Sequence, residues 1–523
     1  MLWRGRQIPS PDRLHIHRRR KKKIKGTGDK YILEDYEIYD DFILDRQQSV
    51  IHFDPNLIVT EVKSNPYDDY KKIKSIGEGT FGEVELVEHK ITGKVRAMKI
   101  IKKVNNQNPN ISNEASILNE LNILKKIDHQ NIVKIYEYYS DNDNYYLITE
   151  YCSGGDLYNV MKTQFISESQ AACIMYQILL AINYIHKLGI MHRDMKLENI
   201  LVYKKEEDGL YRVKLCDFGT SHLFKDGQKE KNITGSSYYM APEVLKQKYN
   251  FKCDLWSCGV LMYVLLTKKV PFEGSTQISQ RKSIKKGNYI REPIEKYSQC
   301  VISLIDDLLE KNYDKRINAE KALTYEIFKI YRCKEVINDI KDEEIKIYIE
   351  NIKKYKRNNA FIETALTYLI HNSDYEDISG AIKLFNKLDK EDIGKIGIME
   401  FYKGICDLSK EAFSYEQARE IFLNVDTNKN NYIEPEEFIK AAIDKKLYST
   451  EKMMKFAFNF FDTEKTGLID IEDLIELFKD STDEDIDATK EFTKLISAVD
   501  LDSNGKIDFN EFSTFMSSLF EKL

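Results

Sequence analysis

Two hydrophobic patterns divide the 523-residue chain into a front part and a tail. In the front part, alternating apolar positions around Tyr70–Ile76 lead into the glycine-rich GEGTFGEVEL, which predicts a strand, a tight turn and a second strand. The run Val260–Leu266 is hydrophobic throughout and predicts a core helix, because a membrane span needs about 20 such residues. In the tail, from residue 372, apolar helical stretches flank four polar loops.

The four polar loops recur at a nearly constant period. They begin at Asp389, Asp426, Asp462 and Asp500, which lie 37, 36 and 38 residues apart. This repeat, with an apolar helix on each side of every loop, predicts four helix–loop–helix units arranged as two pairs. The last loop, DLDSNGKIDFNE, carries side-chain oxygens at places one, three, five, nine and twelve and glycine at place six, a spacing suited to Ca²⁺.

Loops 426–437 and 500–511 match calcium ligation at every ligand place. Asn431 replaces the glycine of place six in the first of them, which is tolerable because Asn enters the left-handed backbone region readily. Together with the third loop, they give the predicted calcium ligands: Asp426, Asn428, Asn430, Tyr432 and Glu437; Asp462, Glu464, Thr466, Leu468 and Asp473; and Asp500, Asp502, Asn504, Lys506 and Glu511.

Two loops depart from the best pattern. Loop 462–473 ends in Asp473, which is one methylene shorter than Glu, so we expect weaker calcium binding or a larger share of Mg²⁺. Loop 389–400 has Ile393 and Gly397 at ligand places. For that loop, a weak cation site and a cation-free spacer that pairs with its neighbour are both open.

Composition and charge place the chain among intracellular globular proteins of about three or four domains. Its residues are 42% hydrophobic, and its eight cysteines show no metal-binding spacing, which indicates reduced thiols. Residues 372–523 carry 19 Lys/Arg against 34 Asp/Glu, and this acidic excess favours the binding of cations over the binding of nucleic acid.

The basic run Arg18–Lys25 has three interpretations: a solvated disordered arm, a nuclear localisation signal or a contact for anionic membranes. The predicted location is cytoplasmic, with nucleus and membrane surface as alternatives.

The front part contains a complete set of phosphoryl-transfer motifs in their expected order. A single glycine loop or DFG would be weak evidence, but the full ordered set is close to decisive. The set consists of GEGTFGEV at Gly77–Val84, Lys99 in RAMKI, Glu120 in NELNILKKI, Asp194 and Asn199 in HRDMKLEN, Asp217 in CDFG, Glu243 in APE and Asp254 in DLWSCGV.

On these motifs, residues 70–328 resemble a eukaryotic protein kinase domain, and the chain from about residue 70 resembles the calcium-dependent protein kinases of plants and apicomplexans. The resemblance implies a multidomain α+β architecture, with a two-lobed kinase followed by an all-α region of four EF-hands like calmodulin. It divides the chain into a basic extension (1–69), a kinase region (70–328), a junction (329–371) and a calmodulin-like region (372–523).

The kinase motifs suggest a role for each residue. Asp194 would accept the proton of the substrate hydroxyl, Lys196 would steady the γ-phosphate, and Asn199 and Asp217 would hold Mg²⁺. Thr149 as gatekeeper and Glu150 to Cys152 as adenine hinge follow from the resemblance. The predicted nucleotide-binding residues are Ile76, Gly77, Glu78, Gly79, Thr80, Phe81, Gly82, Glu83, Val84, Lys99, Glu120, Thr149, Glu150, Cys152, Asp156 and Asp217.

Substrate preference and activation also follow from the resemblance. Lys196, two places after Asp194, is typical of serine/threonine kinases, and Asp156 and Glu198 match acidic positions that favour basic residues upstream of the phosphorylated Ser or Thr. The activation segment departs from the family pattern, since it has Asn232 where an acid or a phosphothreonine is expected. Glu230 or a phosphorylated Thr234 would replace that anion.

The junction predicts an amphipathic helix. Ile345, Ile349, Ile352 and Tyr355 form an apolar stripe beside the basic cluster Lys353–Arg357. Such helices are targets of calmodulin-like lobes, and they also mimic basic substrates. We therefore expect an autoinhibitory junction that calcium-loaded lobes either release from the kinase or use to brace it. The alternative function is a calcium-sensing pseudokinase scaffold.

Overall fold

A computed structural model describes residues 59, 61–62, 64–79, 82–103, 120–207, 209–225, 229–356, 360–390, 393–410, 413–478 and 488–522. The predictions for Thr80, Phe81, Arg357 and Glu391, and those for the basic run Arg18–Lys25, lie outside these residues. All described residues belong to one unit, Ser49–Leu523.

A six-stranded sheet forms the small lobe, a name used here for the described residues up to 150. Its strands are β1 Glu61–Val62, β2 Tyr70–Gly79, β3 Gly82–His89, β4 Val95–Lys102, β5 Ile135–Ser140 and β6 Asn144–Glu150, in the order β1-β5-β6-β4-β3-β2. The pair β1–β5 is parallel and the other pairs are antiparallel. The short helix α1, Pro66–Asp69, precedes β2, and residues 120–124 are helical. The two predicted strands are therefore present and paired with each other.

Helices dominate the large lobe, which follows from residue 151. Its elements are α2 Leu157–Thr163, α3 Glu168–Lys187, β7 Ile190–Met191, β8 Ile200–Lys205, β9 Tyr211–Leu215, β10 His222–Leu223, α4 Lys252–Thr267, α5 Gln277–Lys286, α6 Gln299–Leu308, α7 Ala319–Leu323, α8 Glu326–Ile330 and α9 Cys333–Ile337. Ser167 caps α3 through a reciprocal bond with Gln170, and this helix packs beside α4 at the centre.

The run Val260–Leu266 is buried throughout within α4, as predicted for a core helix. None of the helices in the described part of the chain is long and apolar enough to cross a membrane. The same hydrophobic core includes Phe328, Cys333 and Ile337, so the packing of the large lobe continues past the predicted domain end at residue 328.

Two helices form the rest of the junction, α10 Asp342–Lys354 and α11 Ala360–His371. The predicted stripe on α10 is correct, because Ile345, Ile349, Ile352 and Tyr355 are all buried. These side chains join the hydrophobic core of the calmodulin-like region rather than that of the kinase. In this structure the junction stripe is therefore held by the calcium-loop region.

The calmodulin-like region contains four helix–loop–helix units. Their helices are α12 Tyr375–Leu388 and α13 Ile398–Ser409, α14 Tyr415–Val425 and α15 Pro435–Ala442, α16 Glu451–Phe461 and α17 Ile471–Phe478, and α18 Ala488–Val499 and α19 Phe509–Lys522. The strands β11 Ile396–Gly397 and β12 Tyr432–Ile433 join the first two loops, and a bridge between Ile469 and Ile507 joins the last two. The predicted arrangement in two pairs is confirmed.

Candidate active site and calcium loops

The β2–β3 hairpin carries the predicted phosphate loop. Gly77 lies opposite Val84 and Glu78 lies opposite Glu83 in the strand register. Gly82 has φ +142°, and a Cβ atom there would collide with the backbone carbonyl of Ile100 on β4. Only glycine fits this position, so the hairpin backbone lies directly against the strand that carries Lys99.

Lys99 is the central cation of the cleft. Its Nζ lies 3.0 Å from Oε1 of Glu120 and 3.7 Å from Oδ1 of Asp217. Burial alone lowers the pKa of Lys99, but the carboxylates of Glu120 and Asp217 outweigh burial and the net shift is upward. Three residues that were predicted from separate motifs thus meet as one charged group with a fixed ammonium.

Asp194 is held between two partners at the end of the catalytic loop. Lys196 Nζ lies 2.6 Å from its Oδ2, and the backbone N–H and hydroxyl of Ser236 donate to its Oδ1 at 2.8 and 2.9 Å. Nδ2 of Asn199 donates to the Asp194 carbonyl oxygen at 2.8 Å. Burial raises the pKa of Asp194, but Lys196 and then Ser236 lower it and the net shift is downward, so the carboxylate stays ionised. The sequence reasoning missed Ser236.

Asp254 holds the start of the catalytic loop through hydrogen bonds to its backbone. Its carboxylate accepts the backbone N–H groups of His192 and Arg193, both at 2.9 Å, and lies 2.9 Å from Nε2 of His186. The His192 ring in turn lies 3.1 Å from the carbonyl oxygen of Cys216. These contacts fix the loop before Asp194 relative to the segment that ends at Asp217.

Glu230 supplies an anion to the activation segment. Its carboxylate lies 3.9 Å from Nη1 of Arg193 and 3.0 Å from Nε2 of His222. The carbonyl oxygen of Asn232 accepts from the Tyr249 hydroxyl at 2.8 Å. Of the two replacements considered from the sequence, the structure therefore places Glu230 beside Arg193.

The side chain of Glu150 does not serve the nucleotide cleft. Its Oε2 lies 2.8 Å from Nζ of Lys214, and that ammonium lies over the ring of Tyr375 in the calmodulin-like region. Both members of the ion pair are buried. The predicted adenine contact of Glu150 is thereby restricted to its backbone.

The other predicted cleft residues have local partners. The Thr149 hydroxyl donates to a backbone carbonyl of β4 at 3.3 Å. Asp156 caps α2, since its two oxygens accept from the backbone and side-chain N–H groups of Asn159 at 2.8 and 2.7 Å. Burial raises the pKa of the Cys152 thiol well above its usual range and that of Cys216 to about 12. Both thiols are therefore protonated packing groups.

The residues proposed for Mg²⁺ fit that ion. Oδ1 of Asp217 is buried and has no hydrogen-bond partner within the part of the chain that the structure describes. Asn199 directs its amide nitrogen to Asp194, which leaves its amide oxygen as the ligand atom. Carboxylate and amide oxygens are hard ligands of the kind Mg²⁺ prefers.

Loops 426–437 and 500–511 are folded around their acidic first and last places. Glu437 accepts backbone N–H groups from both ends of its loop, and Asn431 has φ +64°, as its place in the loop predicted. Burial and then the Glu437 carboxylate raise the pKa of Asp426, as expected where carboxylates converge. In the last loop, ligand atoms of Asp500, Asp502 and Glu511 lie within 4.8 Å of one another. Both donor sets fit Ca²⁺.

The two weaker loops keep the same backbone plan. Asp473 accepts from the Thr463 N–H at 2.9 Å, so the shorter side chain still closes loop 462–473. In loop 389–400, Asp389 accepts from the N–H groups of Ile393 and Gly394. The described part of this loop thus bonds as a calcium loop does but has an isoleucine at a ligand place, which favours a cation-free spacer.

A segment formed by residues 371–377, called here the bridging segment, contacts the small lobe behind the hinge. Nε2 of His371 donates to the carbonyl oxygen of Ile135 at 3.0 Å. Arg96 on β4 donates to the carbonyl oxygen of Asn372 at 2.9 Å and to the Asp374 carboxylate at 2.6 Å. The start of the calmodulin-like region is therefore fixed to the strand that also carries Lys99.

The bridging segment contacts the large lobe as well. The rings of Tyr375 and Tyr203 meet edge to face with centroids 5.6 Å apart, and the Tyr203 hydroxyl donates to Glu376. Lys214 lies 5.3 Å from the Tyr375 ring centroid. One short segment thus joins both lobes on the side of the hinge away from Lys99. No motif or periodic pattern in the sequence predicts these contacts.

Comparisons with known proteins agree with the geometry. Residues 70–328 match the protein kinase domain family, residues 451–517 an EF-hand domain pair, and residues 418–442 an EF hand. Calcium-dependent protein kinase 4 of Plasmodium falciparum is 32% identical over 520 residues, which cover 96% of this chain and 97% of that protein.

Two further relatives give the same picture. Calcium-dependent protein kinase 4 of Plasmodium berghei is 35% identical over 467 residues, covering 86% of this chain and 87% of its own length. Calcium-dependent protein kinase 5 of Plasmodium falciparum is 32% identical over 482 residues, which cover 90% of this chain and 82% of that protein. With both the kinase region and the calcium loops matched in one continuous alignment, the chain belongs to the calcium-dependent protein kinase family.

Proposed function

We propose that this calcium-activated protein kinase transfers the γ-phosphate of ATP to Ser and Thr hydroxyls of proteins, with Asp194 as the base. The observation that carries the proposal is the Asp194 carboxylate, which is ionised and held between Lys196 and Ser236. The proton-accepting oxygen of this carboxylate is thereby fixed in position. A substrate hydroxyl that approaches this oxygen loses its proton as the phosphoryl group arrives.

The remaining cleft residues position the phosphates. Lys99, fixed by Glu120, would hold the α- and β-phosphates, and Lys196 would neutralise charge on the transferred group. Asn199 and Asp217 would hold Mg²⁺, which neutralises phosphate charge when it is bound with ATP. The hairpin from Ile76 to Val84 would cover the phosphates with its backbone amides.

A transfer assay on the full chain tests this function. We expect phosphate transfer from Mg-ATP to a Ser or Thr peptide in calcium, little transfer with a chelator, and little transfer to the matching Tyr peptide. Asp194→Asn keeps the shape of the side chain and should remove transfer. If the wild-type chain bound calcium but transferred no phosphate, the pseudokinase scaffold would be the better description.

We also propose that preferred substrates carry Arg or Lys upstream of the phosphorylated residue. Glu198 supports this preference because it is exposed beside the catalytic loop. Asp156 is a weaker candidate, since both its oxygens already bond to Asn159. Replacing the upstream Arg of a peptide by Ala should raise KM, and Glu198→Ala should reduce that difference more than Asp156→Ala does.

For regulation, the contacts favour a mechanism in which the calcium-loaded lobes brace the kinase over one in which they only release the junction from it. The bridging segment holds β4 of the small lobe through Arg96 and the β8–β9 hairpin of the large lobe through Tyr203 and Lys214. A contact that spans both lobes limits their relative motion and so keeps Lys99 over the catalytic loop. Calcium would stabilise the region from which this segment starts.

The basic arm and the location remain separate proposals. The Arg18–Lys25 run would attract anionic lipid headgroups, at about 1 kcal/mol per basic residue near the surface. Full-length chain should then sediment with vesicles that contain phosphatidylserine and not with neutral vesicles. Without such binding, the cytoplasmic assignment is favoured.

A further inference from the structure

Loop 462–473 and the helix that enters it touch the small lobe at two separate points. Lys465, the fourth residue of the loop, places Nζ 3.4 Å from Oδ2 of Asp69 and 3.2 Å from the hydroxyl of Ser64. One turn before the end of α16, the ring of Phe456 meets the ring of His89 edge to face at 5.0 Å. The calcium loop therefore contacts α1 and the segment before it, and the helix that enters the loop contacts the last residue of β3 in the kinase sheet.

These two contact points are connected inside the small lobe. The Tyr139 hydroxyl lies 3.1 Å from the same Asp69 oxygen and 3.2 Å from Oε1 of Glu137. The Tyr70 hydroxyl donates to that Glu137 oxygen at 2.6 Å, and the Tyr70 ring packs edge-on against His89 at 5.0 Å. The path from Asp69 to His89 thus runs through buried tyrosines, and close-packed groups of this kind move together.

Of the three loops with a full ligand set, we expect the same loop to bind Ca²⁺ most weakly or to take a larger share of Mg²⁺. Asp473 closes it with a shorter side chain than the glutamates of the neighbouring loops. In addition, Lys506 of the last loop places its ammonium 3.1 Å from Oδ2 of Asp470, the ninth residue of loop 462–473. A cation beside a ligand carboxylate opposes the binding of a second cation.

We propose that the kinase responds to calcium binding at loop 462–473 through Lys465 and Phe456, a proposal that rests on the proposed function. This loop then sets the calcium concentration at which the kinase is activated. Ligation brings Asp462 and Asp473 together, which fixes Lys465 relative to the end of α16. The contact groups of Lys465 and Phe456 are then a fixed distance apart. That distance matches the separation of their partners, Asp69 and His89, in the small lobe.

The first test removes the ionic anchor without touching a ligand. Lys465→Met in the full chain is compared with Lys429→Met, which alters the same place of loop 426–437 and has the same left-handed backbone. Calorimetry with Ca²⁺ should show affinities within about twofold of wild type for both. Calcium-dependent protection of the amides of residues 64–70 from hydrogen exchange should fall about two- to fivefold in Lys465→Met only, as expected for a partly exposed ion pair. Equal protection in the two variants would overturn the proposal.

The second test compares the last ligands of two loops. Asp473→Asn and Glu511→Gln each remove one formal charge at place twelve. We expect Asp473→Asn to shift the calcium midpoint of activation upward more, and Glu511→Gln to change it less despite the better donor set of its loop. A larger shift in Glu511→Gln would contradict the inference. If the wild-type chain transferred no phosphate at all, the proposed function would fail, while the exchange comparison would still decide the role of Lys465.

Discussion

Charged side chains are buried on both sides of the kinase hinge, but they are paired differently. In the cleft, Lys99 lies between Glu120 and Asp217, and one buried Asp217 oxygen has no hydrogen-bond partner among the described residues. Behind the hinge, Arg96 bonds the Asp374 carboxylate and lies 4.0 Å from the centroid of the Tyr136 ring. There the charges are matched within the chain.

This difference in pairing indicates two roles: the charges in the cleft serve catalysis, and the charges behind the hinge hold the two regions together. A buried oxygen without a donor costs free energy, and it is retained where a ligand completes it. A charge pair that is complete without any ligand instead fixes the relative position of two elements. Variants of the cleft should therefore change transfer and leave the fold intact, whereas variants behind the hinge should change how transfer responds to calcium.

The largest expected effect comes from Asp217→Ala. Losing the carboxylate that would hold Mg²⁺ should lower kcat at least about a hundredfold, because charge stabilisation of the transition state is the main catalytic contribution. Calcium affinity, measured by calorimetry, should stay unchanged because the predicted calcium ligands belong to separate helix–loop–helix units. Appreciable transfer in this variant would place the magnesium site elsewhere.

Arg96→Ala should have the next largest effect. It removes the bond to Asp374, whose side chain is 39% exposed, so we expect a loss of about 1–2 kcal/mol in the coupling of the two regions. Calcium-stimulated activity should fall about tenfold while activity in chelator stays near its starting value. Arg291→Ala, which breaks a more exposed Arg–Asp pair with Asp306 on the large-lobe surface, is the control. Equal calcium stimulation in both variants would argue against the brace.

The sequence predicted the parts of the molecule that depend on local spacing. The order of the motifs placed Lys99, Asp194 and Asp217 in one cleft, and the repeat of the acidic loops predicted paired EF-hands. Asn431 in the left-handed region and the buried stripe from Ile345 to Tyr355 also follow from local rules. Each of these features rests on residues that are close in sequence or on a motif with a fixed geometry.

The contacts behind the hinge had no comparable signal. Arg96 and Asp374 are 278 residues apart, and although Arg96 begins the RAMKI motif, that motif assigns a role to Lys99 and predicts no partner for Arg96. The direction of the Glu150 side chain depends on Lys214, which in turn depends on the position of Tyr375. Docking of one folded region on another is decided by the shape and charge of completed surfaces, which single-residue patterns do not encode.

A smaller effect is expected from Glu230→Ala. This change removes the anion beside Arg193 and His222, so the activation segment should be less ordered near Asp194. We expect kcat to fall about three- to tenfold, since the pair with Arg193 is long and only partly shielded from water. Adding Asn232→Asp, which returns an acid to the segment, should recover part of the loss. No change in kcat would mean that the segment is ordered by other contacts.

The smallest effect concerns acid stability behind the hinge. Burial lowers the pKa of His371 to about 3 and that of His89 to about 4, against about 6.5 in an unfolded chain. Below pH 6.5 the unfolded chain binds protons that the folded chain does not, so stability falls as the pH drops toward these folded values. For His371 alone, the loss in the free energy of unfolding is at most about 2 kcal/mol at pH 5.

The variant His371→Gln keeps an N–H donor for the Ile135 carbonyl but does not titrate. The melting temperature of this variant should therefore fall less between pH 7 and pH 5 than that of wild type. Equal slopes would show that His371 becomes protonated without disturbing the contact.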